Sequence, residues 1–220
     1  MLRVFQSINT PVTSNCYVLY DKYSKECIIV DPGSKDETEL FGYLEQYDLE
    51  PRYIILTHEH FDHCSGVNAL VERYGIPIVC SQVCAEAIKY EKRNCSVYYD
   101  NQEAFTINCE TISTESIGNT LSFDGESIRF FNTPGHTDAS ICFVVSGYLF
   151  TGDTLIKDEK TVTKLPTGSV EKLKESKSMI NQLRGKGLLV YPGHGEGFAL
   201  DEYDLSKCWE GKTNEEHSYI

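Results

Sequence analysis

Five of the six histidines in this chain fall in three short motifs: Thr57-His58-Glu59-His60-Phe61-Asp62-His63, Thr133-Pro134-Gly135-His136-Thr137 and Tyr191-Pro192-Gly193-His194-Gly195. A fourth motif, Thr151-Gly152-Asp153-Thr154, adds a carboxylate. Imidazole and carboxylate form a ligand set that suits zinc, iron or manganese. The seven groups His58, His60, Asp62, His63, His136, Asp153 and His194 are enough for two adjacent divalent ions with positions left open to water. Zinc is the expected metal, with iron or manganese as alternatives, because such a site accepts several first-row ions. A closed structural zinc site would recruit paired thiolates, and none of the nine cysteines forms a C-x-x-C pair. The chemistry these residues point to is metal-dependent hydrolysis.

Each candidate ligand follows an apolar run: His58 after Ile54-Ile55-Leu56, His136 after Phe130-Phe131, Asp153 after Leu149-Phe150, and His194 after Leu188-Leu189-Val190. Buried strands hold the residues that follow them to the tolerance a metal site requires, while the loops leave one side open. His58 and His60, at i and i+2, project to one side of an extended segment. Asp62 and His63, just beyond, are able to face a neighbouring ion.

The supporting elements follow from periodicity. Cys27–Val30 and Tyr53–Leu56 read as strands buried on both faces. Between them Asp36 and Glu39 suggest a capping box, opening a helix whose core face carries Leu40, Leu44 and Tyr47. A helix over Gly66–Tyr74 turns Val67, Leu70 and Val71 inward, a strand spans Ile76–Cys80, and a helix over Ser81–Lys92 turns Cys84, Ala87 and Ile88 inward. Asp124-Gly125 and Ser146-Gly147 each sit between strand-like runs and read as hairpin turns. Ser169 caps a further helix with Val170, Leu173, Ile180 and Leu183 on one face and Gly185 as its stop.

Composition narrows the class. A chain of 220 residues with 40% hydrophobic content buries a substantial core and suits one domain over residues 1–220. No apolar run approaches a membrane span, and the cysteines read as reduced thiols packed as small hydrophobes, so a soluble cytoplasmic protein is expected. Cys64, beside His63, is the one thiol positioned to touch the site. His217 sits in a polar tail and reads as solvated. The net charge of −13 argues against nucleic acid as a partner. Residues 157–186 carry eight basic against four acidic residues, a local +4, either a solvated helix face or a rim attracting a small anionic substrate. Lys157, Lys160 and Lys164 are the candidate substrate-binding residues of that rim. Glu59 and Phe61 fill variable positions and receive no chemistry.

The H-x-H-x-D-H run followed by P-G-H-T, G-D-T and P-G-H-G resembles the metallo-β-lactamase-fold superfamily, and within it the glyoxalase II-like branch. The likeness runs from Asn15-Cys16-Tyr17-Val18-Leu19 and Ile29-Val30-Asp31-Pro32-Gly33 through Gly195. It implies an α/β fold, an αββα sandwich of two mixed β-sheets with helices on the outer faces. It also implies the pairing of residues with ions: His58, His60 and His136 on one, Asp62, His63 and His194 on the other, Asp153 bridging. A hydroxide shared by two ions exists near neutral pH, and catalytic Asp62 would orient it and handle its proton. Cleavage of an ester, thioester or lactone of a small molecule is the expected reaction.

Departures from other branches narrow this further. Class B β-lactamases carry Cys where Asp153 stands, which argues against antibiotic hydrolysis, and nucleases of the fold carry insertions and basic surfaces lacking here. Only 26 residues follow His194 (220 − 194), too few for the C-terminal helical domain with which glyoxalase II enzymes bind glutathione. The alternative is a mononuclear iron persulfide dioxygenase of the same fold, with His58, His136 and Asp153 holding the iron. Pocket walls are expected from residues 94–104 and 155–167.

Overall fold

A computed structural model of the chain describes residues 2–99 and 103–210. Two six-stranded sheets face each other. The first has strand order β1 (Leu2–Ile8), β2 (Asn15–Asp21), β3 (Glu26–Val30), β4 (Glu50–Ile55), β5 (Ile78–Cys80) and β6 (Thr111–Ser113). The second has order β12 (Phe198–Ala199), β11 (Leu189–Pro192), β10 (Tyr148–Gly152), β9 (Ile141–Val145), β8 (Glu126–Asn132) and β7 (Thr120–Phe123). Both sheets are mixed: β3, β4, β5 and β6 run parallel, as do β10 and β11, while the remaining pairs are antiparallel.

Alternation along the strands builds three apolar layers. On β2, Tyr17 and Leu19 join Ile28, Val30, Ile55 and Val79 against Phe130, Phe143 and Phe150 of the second sheet. Their neighbours Cys16, Val18 and Tyr20 point outward and pack with Cys27, Ile29 and Ile54 beneath the helices. Those helices are α1 (Thr38–Gln46), α3 (Val67–Tyr74) and α4 (Gln82–Ala87). On the far side α5 (Val170–Asn181) covers Cys142, Leu149, Leu188 and Val190 through Ile180. The result is the expected αββα sandwich. A one-turn helix, α2 (Phe61–Cys64), comes between β4 and α3, and α6 (Lys207–Glu210) lies at the end of the described chain.

The two hairpin turns form as read, with positive φ at both Asp124 and Gly125 and at both Ser146 and Gly147, the mirror-image turn that matches strand twist. Ser169 caps α5 by accepting the Lys172 amide.

Other expectations are corrected. The Asp36–Glu39 capping box does not form: α1 begins at Thr38 with Glu37 as its cap residue, and Asp36 Oδ1 accepts the Thr38 amide instead. Tyr47 ends that helix half-exposed with its ring tilted against Tyr43, because it follows the last turn rather than continuing the Leu40–Leu44 face. Val170, the first residue of α5, is exposed, since the face that packs begins one turn later at Leu173. The third strand region contracts to β5, and the helix expected over 81–92 stops at Ala87. Strands β1, β6 and β12 were not legible. No disulfide links the described cysteines, and no described helix is long and apolar enough to cross a membrane. His217 and residues 100–102 of the expected pocket wall lie outside the described residues.

Candidate metal centre

Five strand ends converge at one edge of the sandwich. Asp31 follows β3, His58 and His60 follow β4, His136 follows β8, Asp153 follows β10 and His194 follows β11. His58 lies in the bend after β4 and His60 on extended chain, with Asp62 and His63 on the single turn of α2. All seven candidate ligands are buried, none more than 5% exposed.

Their nitrogen and oxygen atoms form three overlapping groups, each within 4.8 Å: His58, His60 and His136; His58, His63 and Asp153; Asp62, His63 and His194. His60 Nδ1 faces His136 Nε2 at 2.9 Å. Asp62 Oδ2 lies 3.4 Å from His63 Nε2 and 3.3 Å from His194 Nε2. Asp153 stands between the groups, Oδ1 at 3.4 Å from His63 Nε2 and Oδ2 at 3.5 Å from both His136 Nε2 and His194 Nε2. Donors about 2.0–2.1 Å from a tetrahedral zinc sit about 3.3 Å from one another, so this donor set fits such ions.

Hydrogen bonds behind the rings decide which nitrogen faces inward. A carbonyl oxygen only accepts, so His136 Nδ1 donates to Val162 O at 2.8 Å and His194 Nδ1 donates to Thr13 O at 3.1 Å. Each ring thereby turns its Nε2 toward the centre. His63 Nδ1 likewise faces Asp31 Oδ2 at 3.1 Å. The Thr57 hydroxyl donates to Asp31 Oδ2 at 2.6 Å and therefore receives His58 Nδ1 at 3.1 Å. His58 Nε2 is then buried without a hydrogen-bond partner among the described residues, an arrangement that costs stability unless the lone pair is used.

Electrostatics divide the cluster. Burial and the surrounding imidazoles hold His58 and His60 well below the ordinary histidine range, so both present neutral nitrogens. Burial also opposes charge on His63 and His194, but Asp62 and Asp153 outweigh it, raising His63 well above its usual value and His194 to about 10. Asp153 is held well below the carboxylate range by His194 and His63 despite its burial. Neutral donors on one side and carboxylates that already attract positive charge on the other both suit cations.

The backbone approaches the cluster closely. A Cβ on Gly193 would lie 2.0 Å from Asp153 Oδ1 and 2.9 Å from His63 Cε1, so any larger residue would fill the centre. A Cβ on Gly33 would lie 1.6 Å from the Asp62 carbonyl oxygen, which also accepts the Ser14 hydroxyl and the Asn9 amide. Asn15 Nδ2 and the Tyr17 hydroxyl hold Pro192 O at 2.9 and 2.6 Å, fixing the turn that carries His194.

Several functional neighbours were not legible as such. Asp31 was visible only within the I-V-D-P-G motif and Thr57 only as the residue opening the first histidine motif, while Asn9 and Thr13 had no distinctive signal. Glu59 is buried, accepts the Thr137 hydroxyl at 2.8 Å, and is pushed by burial up to about 7. The clue was positional: with His58 and His60 turned to the centre, the residue between them points the opposite way. Cys64 does not reach the cluster; its thiol donates to Glu59 O at 3.2 Å within the core.

The lysines separate. Lys157 Nζ pairs with Glu196, two residues beyond His194, at 3.3 Å. Lys160 instead lines a cavity of about 160 Å³ with Thr161, Thr163, Leu173 and Lys177, on the α5 side of the loop. Lys164 is exposed.

The family model described as the metallo-beta-lactamase superfamily matches residues 9–194, and the chain belongs to that superfamily. It is 29% identical to the "Probable polyketide biosynthesis zinc-dependent hydrolase PksB" of Bacillus subtilis, across 84% of this chain and 74% of that protein. It is 30% identical to a hydroxyacylglutathione hydrolase of Klebsiella pneumoniae, across 94% of this chain and 76% of that one. Among solved structures, the BLEG-1 B3 metallo-beta-lactamase superposes with a TM-score of 0.81 at 28% identity, covering 90% of this chain and 94% of that one.

Proposed function

We propose that this chain is a dinuclear metal-dependent hydrolase that cleaves an ester, thioester or lactone of a small molecule. The observation that carries the reading is the inward Nε2 of His63, His136 and His194, each set by a hydrogen bond at the opposite ring nitrogen. His58, His60 and His136 would hold one ion, Asp62, His63 and His194 the other, with Asp153 between. Divalent ions bound there supply Lewis acidity and a water acidic enough to ionise near neutral pH.

The chain's own groups do the rest. Asp62 Oδ2 lies within 3.4 Å of both His63 Nε2 and His194 Nε2 and is the carboxylate assigned to orient the attacking water and take its proton. The buried imidazoles exclude bulk water from the reacting atoms, which strengthens every electrostatic contact made there. Relatives named as a zinc-dependent hydrolase and a hydroxyacylglutathione hydrolase support zinc and hydrolysis of an acyl group.

Elemental analysis of purified protein should find about two ions per chain, and a panel of esters, thioesters and lactones should reveal turnover. Asp62→Asn should lower kcat far more than it raises KM. Metal-free protein after supplementation would overturn the reading. One iron per chain with O₂ uptake on glutathione persulfide would replace hydrolysis with the dioxygenase reaction, and preferential turnover of a β-lactam would relocate the chain among the antibiotic hydrolases.

A further inference from the structure

The two halves of the first ligand group come from different sheets. His58 and His60 follow β4 of one sheet, and His136 follows β8 of the other, 76 residues away in sequence from His60. An ion that takes all three needs those loops held in register to a fraction of an ångström. Backbone contact helps, since the Ile141 amide donates to Thr57 O at 2.8 Å, but that bond lies outside the H-x-H segment itself.

Within the segment, the side chain between the two histidines makes the connection. Glu59 is 1% exposed and its Oε2 accepts the hydroxyl of Thr137, the residue after His136, at 2.8 Å. Thr137 is held in turn: its oxygen receives the Ala139 amide at 3.2 Å, and its own amide donates to Ser140 Oγ at 3.2 Å. The charge of Glu59 is faced by Arg93, whose guanidinium lies 3.8 Å from Oε1 and 2.9 Å from Asp138 Oδ1. One arginine thus spans the carboxylates that flank both halves of the group.

We infer that Glu59 is a positioning residue: its hydrogen bond to Thr137, backed by Arg93, clasps the His58–His60 segment to the His136 turn and sets the affinity of the metal position those three histidines form. It touches neither the ion nor substrate. The clasp rests on the dinuclear reading above, and it acts on one of the two positions only, because Asp62, His63 and His194 are held by Asn9, Ser14, Asp31 and Asn15 instead.

The test measures stepwise zinc affinity by chelator competition in the full chain, with His60→Ala identifying which step belongs to the His58, His60 and His136 position. Thr137→Val, which keeps the shape and removes the hydroxyl, and Glu59→Leu should weaken that step by about 10- to 100-fold. The other step should stay within about threefold, and Thr137→Ser, which restores the hydroxyl, should bind like wild type. Circular dichroism and thermal melts establish that each variant is folded. Equal weakening of both steps, no weakening in folded Thr137→Val, or a loss in Thr137→Ser as large as in Thr137→Val would overturn the clasp. Wild-type protein that binds fewer than two ions would instead overturn the dinuclear reading, so the two failures are distinguishable.

Discussion

Asp31 Oδ2 lies 3.1 Å from His63 Nδ1, joining the residue that follows β3 to one on α2, just beyond the adjacent parallel strand β4 and 32 positions along the chain. The same oxygen accepts the Thr57 hydroxyl, and Oδ1 accepts the Thr57 amide at 2.8 Å. One carboxylate therefore orients His63 directly and His58 through Thr57, without facing the centre itself. Both outcomes depend on an acceptor-only group at this place.

Replacing that acceptor tests its reach. Asp31→Ala leaves the Thr57 amide and His63 Nδ1 buried without their acceptor, at about 1–3 kcal/mol each. A lowered midpoint in urea and metal affinity reduced by about tenfold or more are expected. Affinity equal to wild type in a folded Asp31→Ala variant would show that the rings orient without it.

Gly193→Ala tests the space rather than the ligands. The added methyl would meet Asp153 Oδ1 and His63 Cε1 at 2.0 and 2.9 Å, so the His194 turn must move for the chain to fold. All seven ligands remain, yet metal content should fall below about one ion per chain. Full occupancy measured by elemental analysis would mean that the turn tolerates displacement.

A buried carboxylate away from the centre predicts a pH effect. Burial pushes Glu37 up to about 8, and its Oε1 has no hydrogen-bond partner among the described residues. The native chain therefore holds a proton that the unfolded chain releases near pH 4.5, so this stability is complete below that value and is lost as pH rises towards 8. Each pKa unit corresponds to about 1.4 kcal/mol. Glu37→Gln should be more stable than wild type at pH 8.5, with a smaller gain at pH 5, in urea denaturation. A pH-independent difference would assign Glu37 a charged native state.

The basic segment divides into testable parts. Lys157 approaches the His194 loop through Glu196, whereas Lys160 lines the cavity beside Leu173 and Lys177. Lys157→Ala should raise KM for an anionic ester by about two- to fivefold, less at high salt because the screening length is only about 8 Å at physiological ionic strength. Lys160→Ala should leave both anionic and neutral substrates unchanged. Equal effects of the two substitutions would make the segment an ordinary solvated face.

The sequence by itself determined the donor chemistry and the α/β layering, and its family resemblance implied the sandwich. Histidine and aspartate after apolar runs identify strand-end ligands, and continuous apolar strands such as Cys27–Val30 require cover on both faces, which only layered sheets and helices provide. The D-G and S-G turns were legible because a two-residue hairpin demands positive φ, which few residues adopt. Tertiary structure decided the rest. Short edge strands such as β6 and β12 take their form from a neighbour's hydrogen bonds rather than from their own pattern. Glu59 looked like a variable filler because its partner, Thr137, lies 78 positions along the chain. The inward nitrogen of each ring was undetermined for the same reason: Val162, Thr13 and Asp31 set it through contacts that only folding brings within reach.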